Sequence, residues 1–514
     1  MRTVAVSGGW LLVALGAAGC GGGVDECSPA CGPGFECYFG VCTPLLPDGG
    51  GDVGAEGETL PEGDDGGATD LADVPDTAEV GECPVGEVRC ATGGSALETC
   101  VEVAPGVGAW RAESCEFGCG AEPAPHCLAW VISNIPDSGL LAAGETPATA
   151  WSLPAEEEIF VEFDTSDGRV SVLDADWNPL FDLRPAGTGL DVESGIHFTS
   201  LAQPAGAPDL GVFSFQQLVV PENVTFTVRG PRALVLLSEE DATIEGGVFA
   251  GCWANDVPPV GGGREGGLGP GAGGAGGTIG GPAGNRDGGG GGGGFGGSGG
   301  TGGGYTDLLK GRGGEVYGSE ELVPLEAGSG GGSGGGSSPD GRRGGTGGGA
   351  VEIVSGGTLT VSGWVDARGC GGVSSYRANE GGGGGGSGGG VLLEAPRLRL
   401  LGAVTANGGG GAAGGQGAPD GSSDGDDGAP GSDEPAAGGT AATVFACGGG
   451  AGGAGAAPAG GDAAPCADAT RYNAGGGGGG SGRIRLNGLE RSVTGLVSPS
   501  IGSGAASEGP LELR

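Results

Sequence analysis

The sequence predicts an all-β protein: a parallel β-helix with long glycine-rich loops, preceded by a small β domain and by disulfide-rich modules. Three observations lead there. A motif of three very short strands recurs along the C-terminal part of the chain, glycine supplies 132 of the 514 residues, largely in tracts between the copies, and 15 cysteines crowd mainly into the N-terminal part. With 5% aromatic residues, a single thick hydrophobic core is excluded.

One copy of the motif runs Val351-Glu352-Ile353-Val354, then Thr358-Leu359-Thr360-Val361, then Trp364-Val365-Asp366. Further copies begin at Leu234, Val391 and Arg483. Strands this short bury nothing alone. Stacked as coils about 4.8 Å apart, alternate residues of each strand fill a narrow shared interior. On this register Val365, Val404 and Val497 form one interior ladder, and Asp366, Thr405 and Ser498 lie on the opposite, solvated face. A partial coil with larger aromatics, Phe213, Phe215 and Phe226, suits a cap over the first open edge.

The excursions between copies span residues 261–349, 371–390 and 408–482, and each leaves just after a third strand. Glycine tracts such as 288–294 and 475–480 can adopt extended, polyproline-II-like conformations that pack side by side, because no Cβ keeps the backbones apart. Flexible, entropic loops are the equal alternative.

At the other end, Arg2 and the apolar segment 4–18 read as a signal peptide, residues 1–19, too short to span a bilayer. Ala17-Ala18-Gly19-Cys20 then resembles the bacterial lipobox, which implies lipidation of Cys20 and membrane attachment through its acyl chains. Gly21 after that cysteine implies, by the sorting pattern of diderm bacteria, an outer-membrane lipoprotein, with exposure at the cell exterior left open. Without Cys20 an even number of cysteines remains, as pairing requires.

Residues 20–42 form a lipidated four-cysteine module with Cys27, Cys31, Cys37 and Cys42, for which the pairs Cys27–Cys37 and Cys31–Cys42 are expected. Residues 43–82 are an acidic Gly/Pro-rich linker whose self-repulsion makes it a stalk. A six-cysteine module follows at 83–127, with Cys83, Cys90, Cys100, Cys115, Cys119 and Cys127, whose connectivity spacing leaves open. Residues 128–208 read as a small antiparallel β domain and 209–514 as the glycine-rich β-helix. There Cys252 and Cys370 close equivalent third strands, so stacking brings them together and leaves Cys447 and Cys466 to each other. An exported chain favours disulfides over zinc for all of these.

The cysteine pattern resembles small modules in surface lipoproteins of myxobacteria and related bacteria. The stretch 212–251, with the glycine-rich coils after it, is similar to glycine-rich β-helical surface proteins of environmental bacteria, most of them without assigned activity. That resemblance implies the fold more than any function.

Chemistry is sparse. A formal charge of −42 and a single lysine, Lys310, exclude nucleic acid as a partner. Lys310 lacks the Ser/Thr of a phosphate loop, and the acidic run at Asp424, Asp426 and Asp427 lacks the glycine and glutamate of an EF-hand. One of the two histidines, His197, alternates with Ile196 and Phe198 and reads as structural. No catalytic residues, no metal ligands and no cofactor are expected. The function expected is a non-enzymatic, envelope-anchored scaffold, structural or adhesive, with a cell-surface polysaccharide or protein as candidate partner. The alternatives are a polysaccharide-active β-helix enzyme, which needs clustered carboxylates in a groove, and a binding module in the six-cysteine region around Trp110.

Overall fold

The computed structural model describes residues 35–38, 41–44, 83–135, 158–253, 255, 259–278, 286–336, 342–374, 380–415, 422–443, 446–466 and 473–514. The chain divides into two units, residues 1–77 and 78–514. In the first unit, two antiparallel strands, Phe35–Tyr38 and Val41–Pro44, set Cys37 opposite Cys42. The bridges expected among Cys27, Cys31, Cys37 and Cys42, like Cys20 itself, lie outside the described side chains.

The second unit is all-β, with no helix among its described residues. The repeated motif produces triplets of short strands, here termed rungs, that feed three sheets in rotation. The first rung is Leu210–Phe215, Leu218–Val220 and Val224–Arg229. The others start at Ala233, Ala350, Gly390 and Arg483, and a last strand, Ala506–Gly509, extends the first sheet. Every step between rungs is parallel and in register. In the third sheet Phe226, Val248, Val365, Val404 and Val497 follow one another as direct partners. The first sheet contributes Phe213, Leu236, Ile353, Leu393 and Leu486 to the same core, and the second Val220, Ile244, Val361 and Leu400. Period-two alternation explains this choice: one parity of each strand packs inward and the other does not.

The three outer faces differ. That of the second sheet is polar and open, with Arg397 and Arg399 exposed. That of the first sheet is covered by residues 130–135 and 317–327, and Ile132, Ile135, Leu322 and Leu325 make a second apolar cluster with Val235 and Leu392. The third was expected to be solvated, yet Asp366, Thr405 and Ser498 are buried. The glycine excursions emerging from that sheet fold back beside it, so the Ser498 hydroxyl donates to Asn407 Oδ1 at 2.6 Å and accepts from the Gly455 N–H.

Residues 158–201 do not stand apart as a separate small domain. Ile159–Asp164 pairs parallel with Val224–Arg229, and Val170–Leu173 and Pro179–Arg184 continue the third sheet in antiparallel fashion. His197–Leu201 pairs antiparallel with Leu210–Phe215, and Gly189–Leu190 pairs beyond it at the edge of the first. The change of direction ends the parallel stack and leaves only these short antiparallel strands at its edge. Phe198, Phe213, Phe163 and Phe226 fill the interior there, each ring centroid 4.7 to 5.0 Å from the next in that order. His197 is buried in this cap.

The excursions are packed. In the tract 288–294, the N–H groups of Gly288, Gly291 and Gly294 donate to Gly277, Gly274 and Gly271, those of Gly289 and Gly292 to Gly303 and Gly300, and those of Gly290 and Gly293 to Gly382 and Gly385. In return the tract accepts from Gly332 and Gly335, from Gly311 and Gly314, and from Gly477 and Gly480. This three-residue rotation is that of a polyproline-II-type helix, which has no internal hydrogen bonds and turns its N–H groups in three directions. Tracts 380–390, 406–415 and 473–482 are likewise bonded on every side. The result is a lattice of parallel and antiparallel glycine helices, anchored at one end where Ala250, Ala367 and Ala406 leave the third sheet.

Five disulfides lie among the described residues: Cys83–Cys100, Cys90–Cys119, Cys115–Cys127, Cys252–Cys370 and Cys447–Cys466. The first three staple a small module around the hairpin Ala96–Ala104 and Val107–Ser114. Cys252–Cys370 ties two excursions together where they leave adjacent rungs, and Cys447–Cys466 joins two bundle segments. No helix of the described residues is long and apolar enough to cross a membrane.

Candidate functional site

The alternative functions make local demands on the structure. In the six-cysteine module the Trp110 ring is covered by the Arg89 guanidinium, 3.9 Å from its centroid, and Arg89 is itself held by Glu98 at 2.7 Å. The carboxylates that stacking brings together are buried rather than set in a groove. Asp366 accepts from Thr405 Oγ1 at 2.9 Å and from Arg368 Nε at 2.6 Å, and burial raises its carboxyl against the pull of Arg368. The sulfurs of the Cys252–Cys370 disulfide lie near Asp427, whose Oδ1 accepts the Gly371 N–H. Disulfide sulfurs are not thiolates, which metal ligation by cysteine requires.

A carboxyl pair that the sequence reading missed, Glu352 and Glu394, sits on adjacent rungs beneath residues 133–134. Glu394 accepts from the Ser133 N–H and hydroxyl and from Asn487 Nδ2, and Glu352 accepts from Asn134 Nδ2 at 3.1 Å. The other Glu352 oxygen meets no donor among the described residues. Burial, and then the charge of Glu394, hold the Glu352 carboxyl well above the usual carboxylate range. A group whose pKa is raised by folding contributes stability that is present below its unfolded pKa, about 4.3, and is lost as pH rises through the folded value. We therefore expect the melting temperature of the wild type to fall from acid towards neutral pH more steeply than that of Glu352→Gln, with the variant the more stable at neutral pH. Parallel curves for the two proteins would exclude a raised Glu352 carboxyl.

The described surface also carries a cleft of about 600 Å³ beside the third sheet. Its aromatic wall begins in the hairpin turn between Val170–Leu173 and Pro179–Arg184. Asp174 Oδ1 accepts the N–H groups of Asp176 and Asn178, both at 2.9 Å, and this turn sets Trp177 at its tip with φ of 64°. A bulky residue in the left-handed region costs on the order of 1–3 kcal/mol and persists where its surroundings fix it. Here Trp177 stacks on Phe160 at 4.2 Å and 22°, and meets Trp253 nearly at right angles, 4.4 Å away. Trp253 follows the disulfide-tied Cys252 and packs edge-on against Phe249 at 4.4 Å. Both tryptophans remain more than a third exposed.

Arg229 and Glu162 stand on the polar rim, 3.5 Å apart, with Asp164 on the other side of the guanidinium at 3.7 Å. Val228, Gly230, Pro231, Pro259 and Val260 line the remainder. The aromatic row continues past Phe249 to Trp364, 6.5 Å between centroids. Trp364 spreads over Gly247 on the preceding rung, where a Cβ would come within 2.2 Å of the ring. Beyond it, Trp364 and Arg368 border a second hollow of about 580 Å³ with Gly402 and Pro430. These flat apolar faces, with a forked donor and a carboxylate acceptor at their edge, are suited to binding. The sequence signal for this site was a tryptophan inside a turn, Asp174-Ala175-Asp176-Trp177-Asn178, where small polar residues are the rule. The chain matches no family model, no curated protein and no solved structure.

Proposed function

We propose that this protein is a non-enzymatic, lipid-anchored scaffold of the bacterial outer membrane, which displays a rigid glycine-rich bundle for adhesion or surface-layer structure. In this reading the five rungs wind as a parallel β-helix, the acidic segment 43–82 lifts them from the membrane, and the chain is of a kind with glycine-rich surface lipoproteins of myxobacteria and related bacteria. The observation that carries it is the hydrogen-bonded lattice of the excursions. A lattice bonded on all sides has a fixed shape, whereas entropic loops would present no defined surface. Burial of the rung carboxylates, and their engagement with Arg368, Thr405, Ser133 and Asn487, supports a role without turnover.

The test is the anchor. Cells making the wild type should incorporate a palmitate analogue into the protein and attach to surfaces or to one another. Cells making Cys20→Ser should lose both label and attachment, while the chain stays folded. Unlabelled wild type in the medium would sink the lipid anchor, and unchanged attachment without the protein would sink the adhesive role. Depolymerisation of a polysaccharide by purified protein would replace the scaffold with an enzyme.

A further inference from the structure

We propose that the tryptophan-lined cleft is a binding site for a neutral polysaccharide chain, held by stacking on Trp177 and Trp253 and oriented by Arg229 and Glu162. This names the ligand class of the scaffold proposed above and rests on that reading for its setting, while the binding chemistry stands on the cleft alone.

Four features of the site select this ligand. The apolar C–H faces of pyranose rings stack on indole, and Trp177 and Trp253 offer two exposed indoles at 84° to each other, one fixed by Phe160 and the other by Phe249. Two such planes form a corner that grips a ring on adjoining sides, which a flat apolar patch does not do. Vicinal hydroxyls need a donor and an acceptor side by side, and the Arg229 guanidinium beside the Glu162 carboxylate supplies both at the rim. Arg229 is 61% exposed, so its guanidinium is accessible to a ligand at the rim.

Length points to a chain rather than a single sugar. The exposed indoles of Trp177 and Trp253 are backed by Phe160 and by buried Phe249, half-buried Trp364 lies beyond, and the strands bearing Phe160 and Trp364 are separated by three parallel steps. At about 4.8 Å per step the cleft and the second hollow at Trp364 and Arg368 are set along about 14 Å of the sheet, room for more than one sugar ring. Charge excludes the acidic polysaccharides. The protein carries a formal charge of −42, and the arginine at the cleft is already balanced by Glu162 and Asp164. Arg368, in the second hollow, is likewise engaged by Asp366.

The left-handed backbone at Trp177 gives the proposal a test that separates binding from folding. Trp177→Gly removes the ring at a position whose conformation glycine adopts freely, so the turn is relieved as the platform is lost. The mature full-length protein is titrated calorimetrically with cello-, malto-, laminari- and chito-hexaose, with oligogalacturonate as the acidic comparison and a proline-rich peptide as the rival that also stacks on tryptophan. At least one neutral hexasaccharide should bind, and both Trp177→Gly and Trp253→Ala should weaken it by about tenfold or more, Trp177→Gly with little change in melting temperature. Arg229→Gln should weaken it less. Failure of every neutral hexasaccharide to bind overturns the proposal. So does binding that both tryptophan variants retain, or binding of the acidic glycan or the peptide alone. Attachment that depends on the protein, in the absence of hexasaccharide binding, would spare the scaffold and reject the cleft. Tryptophan-dependent binding without any effect on attachment would do the reverse.

Discussion

Gly292→Ala should destabilise the protein by about 3 kcal/mol or more, a large effect for one added methyl group. Gly292 lies inside the lattice, donating to Gly300 and accepting from Gly314, both within 2.9 Å. A Cβ built there falls 1.8 Å from the Gly478 carbonyl oxygen and 2.4 Å from its carbon. Neither atom belongs to a side chain that can swing away. The unfolded chain pulls the other way, since alanine restricts it and favours folding by about 0.4–1 kcal/mol where the backbone conformation is compatible. Overpacking against backbone outweighs that. Gly448→Ala provides the comparison: its Cβ would lie 3.2 Å from the Gly439 oxygen and 3.6 Å from the Ala464 methyl, which a small shift accommodates. Denaturant unfolding of the two variants should separate them clearly, and equal midpoints would mean that the tracts are not packed.

The same physics explains which part of the bundle was legible in the sequence. A three-residue turn points successive residues in three directions, so a segment enclosed on all sides favours glycine throughout, as in 288–294, 381–386 and 475–480. A segment with one face at the surface needs glycine at two positions of three. The stretch Gly271-Ala272-Gly273-Gly274-Ala275-Gly276-Gly277 has that pattern, with Ala275 exposed. Uninterrupted runs therefore mark interior helices, and an exposed residue at every third position marks a face at the bundle surface, while buried Ala412, Ala413 and Ser387 show that a small side chain also fits inside where the neighbouring backbone leaves room. That signal was present, but glycine abundance alone is equally compatible with flexible loops, and the sequence reading left the two open.

The rung registers were legible because the alternation of Val, Leu and Ile specifies an inner parity, and the Cys252–Cys370 bridge follows from the same stacking. What covers the outer faces was not. Nothing local marks Asp366 or Thr405 as buried, because their cover arrives from excursions distant in sequence. The pair Glu352 and Glu394 escaped notice for a related reason: on direct register they oppose Leu392 and Val354, so they meet diagonally across two rungs, under residues from before the first rung. The aromatic cleft is assembled from a turn, a third strand and the start of an excursion, and the sequence reading did not single out Trp177, the one residue whose place in a turn is unusual.

Val404→Asp should cost about 4–5 kcal/mol, the range reserved for an uncompensated charge in a core. Val404 has no exposed surface, its direct partners on either side are Val365 and Val497, and it belongs to the apolar cluster inside the stack, so the new carboxylate would meet no partner on its ladder. Thr405, on the opposite face, was expected to tolerate the same change. The structure reverses that expectation: Thr405 is buried and donates to Asp366, so Thr405→Asp would replace the donor with a second carboxylate. Its cost should approach that of Val404→Asp, whereas Thr405→Val, which leaves Asp366 the two donors of Arg368, should cost about 1–3 kcal/mol. The contrast that tests the register moves to the second sheet. There Arg399 is exposed between Thr360 and Ser492, and Arg399→Asp should change stability by about 0.5 kcal/mol or less. Urea midpoints should therefore rank Arg399→Asp near the wild type, Thr405→Val below it, and the two buried aspartates lowest. A destabilised Arg399→Asp alongside a tolerated Val404→Asp would invert the parity of the whole stack, because one residue of slip exchanges its inner and outer faces.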